Sequence, residues 1–212
     1  MMHTPLPEVP EWNEPKQARS RQRFALILDA AAALIAEQGI EAVTTNHIAE
    51  RACVAIGSLY QFFPSKEAVV AALLDRYLRA MVTVFPTAVD ESRSFAETVG
   101  GVVDGIMTFK AEHPAFSQLF GAMNAPTHHL LTQRMQGAIT QRIAAMLKGY
   151  HPAMNDDQRA RCALVGYGIV KGLVGMEDIE PGMLRSEITT ALLGYVRAFL
   201  KREGIHDLEA LE

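Results

Sequence analysis

The spacing of apolar residues along the chain predicts a protein built from helices. Between Arg21 and Gln38, apolar side chains recur at intervals of three and four residues and Gly39 follows, which is typical of an amphipathic helix and its C-terminal stop. A second apolar stripe begins after Ser65, runs from Lys66 to about Phe85 and ends at Pro86. The pattern therefore predicts two long helices, each buried along one face.

Prolines divide the rest of the chain into five further predicted helices. They occur at four boundaries where a helix would otherwise continue or begin, namely His113-Pro114, Ala125-Pro126, His151-Pro152 and Glu180-Pro181. The predicted helices cover about 94–112, 114–123, 128–150, 156–178 and 182–202. Because alternating strand patterns are scarce, the expected architecture is all-α.

The stretch from Thr44 to Lys66 separates the two long N-terminal helices and predicts a helix-turn-helix. Thr44 can cap a first short helix, Cys53 and Val54 make the turn, and a second short helix runs from about Ala55 to Phe62. Such a unit places its second helix in the major groove of DNA. Periodicity alone leaves an ordinary surface helical turn as the alternative.

The second short helix offers one face for packing and another for binding DNA. At about 100° per residue, Leu59 and Phe62 share one face, whereas Gly57, Ser58 and Gln61 cluster on the opposite one. We call these last three residues the reading face. Small residues allow close approach to the groove, and a glutamine amide can bond both N6 and N7 of adenine. The helix therefore has the composition that DNA recognition requires.

The order of the residues favours the DNA-binding interpretation. Residues 21 to about 80 closely resemble the DNA-binding domain of the tetracycline-repressor (TetR) family. The resemblance rests on Thr44-Thr45, Ile48-Ala49, Gly57-Ser58-Leu59-Tyr60, Phe63 and Ser65-Lys66-Glu67. It implies a dimeric transcriptional regulator whose N-terminal head binds DNA and whose C-terminal helical domain binds a small molecule.

The resemblance also implies which residues contact DNA. It assigns phosphate contacts to Thr45, Tyr60 and Lys66, and helix N-termini, where Thr45 and Lys66 lie, favour anions. In the family, the N-terminal end of the first long helix, which carries Arg21 and Arg23, lies near the DNA backbone. Asn46, at the start of the first short helix, is a weaker candidate. The predicted DNA contacts are Arg21, Arg23, Thr45, Asn46, Gly57, Ser58, Tyr60, Gln61 and Lys66.

Three residues depart from the family's pattern. Cys53 stands where the family commonly has glycine, so a positive φ there would strain the turn by about 1 kcal/mol. Ala55 stands where a capping serine is frequent, and it cannot cap. Phe62 stands where a tyrosine is frequent, and it cannot bond a phosphate.

The acidic net charge restricts where nucleic acid can bind. A formal net charge of −4 argues against a uniformly basic binding surface. Positive charge is instead concentrated before the first helix, where Lys16, Arg19, Arg21 and Arg23 fall within eight positions that contain no acid. Beside a helix-turn-helix, this cluster predicts an arm that contacts phosphates or a minor groove.

The predicted organisation has four parts. Residues 1–15 combine prolines with glutamates and are expected to form a disordered N-terminal arm. A helix-turn-helix domain is expected at 16–65, a connecting helix at 66–86, and a ligand-binding and dimerisation domain at 87–212. In the resembling family the connecting helix joins the head to the body, so its tilt sets the separation between the two heads of a dimer.

The last two long helices are suited to pairing. Glycines thin one side of the first of them, and both carry apolar stripes. TetR-like proteins usually dimerise by pairing these helices into a four-helix bundle, which predicts dimer contacts at Ile169, Leu173, Leu192, Leu193, Val196 and Phe199. Core packing within one subunit is the alternative.

A small-molecule pocket is expected in the C-terminal domain, because family members use this domain as a sensor. Apolar and soft side chains suit an organic effector, and histidines could supply polar contacts. The candidate ligand-binding residues are Met107, Phe116, Phe120, Met123, His128 and Met135, and Met146, His113 and His129 could also contribute. Ordinary core packing is the alternative for the methionines and phenylalanines.

The remaining chemistry of the sequence does not indicate an enzyme. It contains no catalytic motif, and Gly166-Tyr167-Gly168 has the wrong spacing for a dinucleotide loop. Cys53 and Cys162 are isolated and lack metal-ligand spacing, which favours a reducing compartment. No apolar run reaches the roughly 18 residues that span a membrane, and no secretory segment begins the chain.

These observations predict a cytoplasmic, ligand-responsive repressor that binds a palindromic double-stranded DNA operator as a homodimer. A small, partly apolar organic effector would release it, and neither a cofactor nor a metal is expected. The alternative is an all-α small-molecule-binding or catalytic module with no role in DNA binding. It predicts no salt-sensitive affinity for DNA.

Overall fold

The computed structural model describes residues 12–90, 92–122, 129–176 and 179–205. Every regular element in these residues is a helix, which confirms the all-α prediction. The helices are α1 (Ala18–Gln38), α2 (Thr45–Arg51), α3 (Ile56–Phe62), α4 (Lys66–Val84), α5 (Phe95–Glu112), α6 (Pro114–Ala122), α7 (His129–Tyr150), α8 (Asp156–Val174) and α9 (Pro181–Arg202).

Side-chain caps begin several of these helices. Thr44 Oγ1 accepts the backbone N–H of His47 at 3.2 Å at the start of α2, as predicted. Asn155 and Gln158 form a reciprocal capping box at the start of α8. At the start of α9, the backbone N–H groups of Gly182 and Met183 donate to the Glu180 carboxylate, and these bonds lower the pKa of Glu180.

The described chain divides into two compact units. The first comprises the described parts of Met1–Arg79 and His113–Gln133, and the second those of Ala80–Glu112 and Arg134–Glu212. Helix α6 therefore belongs to the first unit, where it packs against α1. The sequence-based division placed this helix in the predicted domain at 87–212. In the structure, its packing groups it with the helix-turn-helix instead.

The core of the first unit forms around an aromatic cluster made by Phe24, Phe62 and Phe63. The Phe24 ring lies 5.8 Å from the Phe62 ring and 4.8 Å from the Phe63 ring, measured between centroids. Buried aliphatic side chains of α1 and α3, including Ile27 and Leu59, complete this core. Because the cluster joins α1 to the end of α3, it fixes the helix-turn-helix on its supporting helix.

The second unit is built from α5, α7, α8 and α9. Helix α9 packs against both α5 and α8. Lys110 of α5 donates from Nζ to the Val174 carbonyl oxygen at 2.8 Å, which places a positive charge at the C-terminal end of α8. Asp104 of α5 and Arg185 of α9 form an ion pair. None of the described helices is both long and apolar enough to cross a membrane.

The predicted disordered arm at 1–15 is described only from residue 12 onward. In this part, Asn13 donates its backbone N–H to the Phe62 carbonyl oxygen at 2.9 Å, and its Nδ2 donates to the Gln61 carbonyl oxygen at 3.1 Å. The expectation of disorder therefore does not hold for Asn13, because two hydrogen bonds fix it to the end of α3. Residues 1–11 lie outside the described residues.

Candidate nucleic-acid interface

The turn of the helix-turn-helix contains an unfavourable backbone conformation. Cys53 is exposed and has a φ of 53°, which only glycine adopts without steric cost. Ala49 and Ile48 of α2 are buried beneath it, and the Val54 N–H donates to the Ala49 carbonyl oxygen at 3.0 Å. The packing of α2 and this hydrogen bond therefore hold the turn in place despite the strain.

Cys53→Gly should raise the free energy of unfolding of the first unit by up to about 1 kcal/mol, because glycine removes the steric cost of the positive φ. Urea denaturation followed by fluorescence of Trp12, the single tryptophan, measures the change. Cys53→Ser serves as the control, since serine retains the Cβ atom and should leave the stability nearly unchanged. Equal stability of the glycine and serine variants would show that the turn is not strained.

Helix α3 presents the two faces that its sequence predicts. Leu59 and Phe62 are buried, whereas Gly57 and Gln61 are exposed and Ser58 is half-buried. Apart from its two chain neighbours and the backbone of α3, no atom of the described chain lies within 4 Å of the position that a Cβ atom on Gly57 would occupy. The reading face is therefore open. Phe62 packs edge-on against Phe24 and contributes to the core rather than to the surface.

Two of the predicted phosphate contacts lie together beside the reading face. Thr45 Oγ1 and Tyr60 Oη are 3.1 Å apart and form a hydrogen bond in which either hydroxyl can donate. This bond joins the first residue of α2 to α3. Because Tyr60 is exposed, both oxygens are placed where a hydroxyl retains hydrogen-bonding capacity toward a phosphate oxygen.

The other predicted DNA contacts lie on several helices of the first unit. Lys66, the first residue of α4, donates from Nζ to the Glu41 carbonyl oxygen at 3.2 Å. Asn46 of α2 is exposed, as are Arg21 and Arg23 in the first turns of α1. A lysine bonded to an exposed main-chain oxygen can exchange that partner for a phosphate.

An ion pair that sequence reasoning missed links α2 of the helix-turn-helix to α1. Arg51, the last residue of α2, donates from both terminal nitrogens to the Glu37 carboxylate of α1, at 2.9 and 2.8 Å. These hydrogen bonds lower the pKa of Glu37. The two residues are fourteen positions apart, so no helical periodicity could have indicated the pair.

The second unit contains an apolar cavity of about 50 Å³. Residues of α5, α7, α8 and α9 line it, together with Phe85 directly after α4. Cys162 is part of this wall, and burial raises the pKa of its thiol to about 12. The lining residues are Phe85, Phe95, Val99, Val102, Val103, Ile106, Ile143, Met146, Leu147, Cys162, Gly166, Val170, Leu192 and Val196.

Of the predicted ligand-binding residues whose side chains are described, Met146 lines this cavity, whereas Met107, Phe116 and Met135 do not. Phe116 is buried in the first unit, Met135 is buried in the second, and Met107 on α5 is half-buried. Met123 and His128 lie outside the described residues, as does the side chain of Phe120. Sequence periodicity identified buried positions here without showing which of them surround a cavity.

The predicted dimer contacts separate into surface and core positions. Ile169, Leu173, Leu192 and Leu193 are partly exposed on α8 and α9. By contrast, Val196 and Phe199 are only 6% and 1% exposed within a single protomer. These two residues pack inside their own unit, so they are removed from the predicted dimer surface. Leu164 and Val165 of α8, which the predicted dimer contacts did not include, are 49% and 43% exposed.

Comparison with known proteins identifies two segments of the chain with two family models. Residues 27–73 match the model of the bacterial regulatory proteins of the tetR family, and residues 94–196 match that of the tetracyclin repressor-like C-terminal domain. These segments contain the helix-turn-helix and most of the cavity-lining helices, respectively.

Two bacterial proteins share part of this sequence. The transcriptional repressor KstR of Mycobacterium tuberculosis is 34% identical over 118 residues, which are 56% of this chain and 47% of KstR. The nucleoid occlusion factor SlmA of Haemophilus ducreyi is 27% identical over 119 residues, which are 56% of each protein. The matches thus span about half the length of these relatives.

Solved structures show the same fold over nearly the whole chain. A tetR-family transcriptional regulator from Streptomyces coelicolor superposes with a TM-score of 0.72 at 17% identity, over 90% of this chain and 88% of that one. GusR of Salmonella enterica superposes with a TM-score of 0.71 at 17% identity, over 87% of this chain and 100% of GusR. With both sequence segments matched and the fold shared, the chain belongs to the TetR family of transcriptional regulators.

Proposed function

We propose that the chain is a ligand-responsive transcriptional repressor that binds a near-palindromic operator as a homodimer. The observation that carries this proposal is the open reading face of α3, which lies beside the hydrogen-bonded hydroxyls of Thr45 and Tyr60. A groove-facing surface flanked by phosphate-binding groups is the arrangement that sequence-specific DNA recognition needs. The name of its relative KstR, a transcriptional repressor, supports repression rather than activation of transcription.

A local cluster of positive charge can attract DNA phosphates although the net charge of the whole chain is −4. Lys16, two residues before α1, and Arg19, Arg21 and Arg23 in its first two turns are all exposed. Each cation that neutralises a phosphate releases condensed counterions, so affinity should fall steeply as salt concentration rises. The reading face then supplies the preference for one sequence over others.

A homodimer would cover the apolar surface of α8 and α9. Leu164 and Val165 leave large apolar area exposed on α8. Apart from chain neighbours and the backbone of α8, no atom of the described chain lies within 4 Å of a Cβ atom built on Gly168 or Gly172, so this side of α8 can accept a closely packed partner helix. A twofold axis would place two heads on the two halves of an inverted repeat.

The effector is proposed to enter the apolar cavity of the second unit. A cavity of about 50 Å³ is smaller than the roughly 150 Å³ that holds benzene, so an organic effector must push the lining helices apart. Phe85, the residue directly after α4, is part of the wall. Expansion there would act on the end of the helix that leads to the head. By linkage, effector and DNA must weaken each other's binding by the same factor.

Selection of bound sequences from a random DNA pool, at near-physiological salt, tests the proposal. We expect an inverted repeat that binds at least about a thousandfold more tightly than a scrambled control. If nothing is enriched, the selection is repeated with protein that has been unfolded, stripped of ligand and refolded. Absence of enrichment after that step would exclude sequence-specific DNA binding.

Gln61→Ala and Lys66→Ala should weaken DNA binding in two different ways. Gln61→Ala should relax selection at one operator position by about 1–3 kcal/mol, because it removes a base-edge hydrogen bond. Lys66→Ala should weaken binding to all sequences and make the salt dependence less steep, because it removes a phosphate contact. Anisotropy titrations of the operator and the scrambled DNA at several salt concentrations measure both effects. If neither substitution changes binding, these contacts are wrongly assigned.

A further inference from the structure

The helix that carries the reading face is held at its end by a residue far upstream in the chain. Asn13 bonds the carbonyl oxygens of both Gln61 and Phe62, 48 and 49 positions away. We infer that Asn13 is a positioning residue for α3 and determines how sharply the protein distinguishes its operator from other DNA. The inference rests on the DNA-binding role proposed above.

Helix α3 has little that stabilises it from within. It is seven residues long, and isolated helices shorter than roughly 12–15 residues are marginal in water. Ala55 provides no side-chain cap at its start, and Gly57 lowers the helix propensity of its first turn. Its sequence, IGSLYQF, contains no charge that could interact favourably with the helix dipole. The position of α3 therefore depends on contacts from other parts of the first unit.

Those contacts reach three sides of the helix. The buried Leu59 and Phe62 anchor its inner face, and the bond between Thr45 and Tyr60 fixes one flank. At its C-terminal end, the final carbonyl groups of a helix have no donors within the helix. The N–H and Nδ2 groups of Asn13 supply two such donors from one side chain and its own backbone.

The side-chain bond of Asn13 ends on the residue that is proposed to recognise a base. Because Nδ2 bonds the main-chain oxygen of Gln61, it fixes the backbone from which the Gln61 side chain projects. A base-edge hydrogen bond weakens steeply when its geometry is displaced. Long basic side chains such as Arg19 can instead follow a phosphate through small backbone shifts. Loss of the Asn13 amide should therefore reduce discrimination more than non-specific affinity.

The test compares full-length chains that differ at Asn13. Asn13→Ala removes the amide, Asn13→Asp keeps its shape but has no donor, and Asn13→Gln retains a donor. The loss of one net hydrogen bond changes an equilibrium roughly twofold to tenfold. We expect the first two variants to lower the ratio of operator to scrambled-DNA affinity by this factor, and Asn13→Gln to preserve most of it. Gln17→Ala, at an exposed residue whose side chain makes no capping bond, is the matched control.

Hydrogen exchange of the free protein provides a second readout that needs no DNA. Amides of α3 should exchange severalfold faster in Asn13→Ala and Asn13→Asp, whereas buried amides of α1 between Ile27 and Ile35 should not change. Unchanged exchange in α3, or an equal loss of affinity for operator and scrambled DNA, would overturn the inference. If exchange rises but the unmodified chain prefers no DNA sequence, the proposed function fails while the capping of α3 by Asn13 stands.

Discussion

If the proposed homodimer forms, Leu164→Asp combined with Val165→Asp should convert it to a monomer and lower the affinity for the selected operator at least about a hundredfold. Both side chains are exposed on α8, where the proposed partner subunit packs. In a twofold dimer each new carboxylate occurs twice, and burying an unpaired charge costs several kcal/mol. A monomer also loses the increase in operator affinity, about 10²–10⁴-fold, that two linked heads provide. Sedimentation equilibrium and operator anisotropy measure the two effects.

The control for this variant adds the same two charges to another helix of the second unit. Gln141 and Ala145 are exposed on α7, so Gln141→Asp combined with Ala145→Asp should leave both the dimer and the operator affinity intact. A Leu164/Val165 double variant that remains dimeric would place the interface elsewhere. A monomer with full operator affinity would contradict recognition by two heads.

Phe63→Ala should lower the free energy of unfolding of the first unit by about 3–5 kcal/mol. Phe63 is 0% exposed, and its ring centroid lies 4.8 Å from that of Phe24 and 6.3 Å from that of Phe62. Truncation to alanine leaves a cavity beside the Phe24 ring of α1 and the Phe62 ring at the end of α3. Urea denaturation followed by Trp12 fluorescence reports on this unit, because the single tryptophan directly precedes Asn13.

Two further variants separate stability from DNA recognition. Phe63→Leu should cost less than Phe63→Ala, because leucine fills more of the space left by the ring. Gln61→Ala should change stability by less than about 0.5 kcal/mol, since the side chain is exposed, while it still alters operator preference. Wild-type stability of Phe63→Ala would show that the aromatic cluster does not form the core of this unit.

Local signals in the sequence predicted the helices and the two faces of α3. Thr44 has the cap that its hydroxyl predicts, and the apolar stripes predict the buried faces of the long helices. The positive φ of Cys53 was indicated by the glycine common at that position in the family. Periodicity and turn chemistry act over a few residues, so a single sequence is sufficient to recognise them.

Features that depend on distant residues could not be predicted in this way. The bonds of Asn13 to α3 and of Arg51 to Glu37 join segments that have no common pattern in the sequence. An apolar stripe also does not show which element covers it, which is why Val196 and Phe199 were assigned to a dimer surface although they are buried in one protomer. The same ambiguity explains why Met146 lines the cavity while Met107, Phe116 and Met135, which were predicted on the same grounds, do not.

The contrast between the two cysteines makes the natural chain suitable for labelling at a single site. Cys53 is exposed at the turn of the helix-turn-helix, whereas Cys162 is buried and its raised pKa, about 12, keeps the thiol protonated near neutral pH. A maleimide dye added briefly to the folded protein should therefore attach at Cys53 alone. The fluorophore would then lie three residues before the first residue of α3, and its emission would test the proposed binding of DNA and effector without any engineered cysteine.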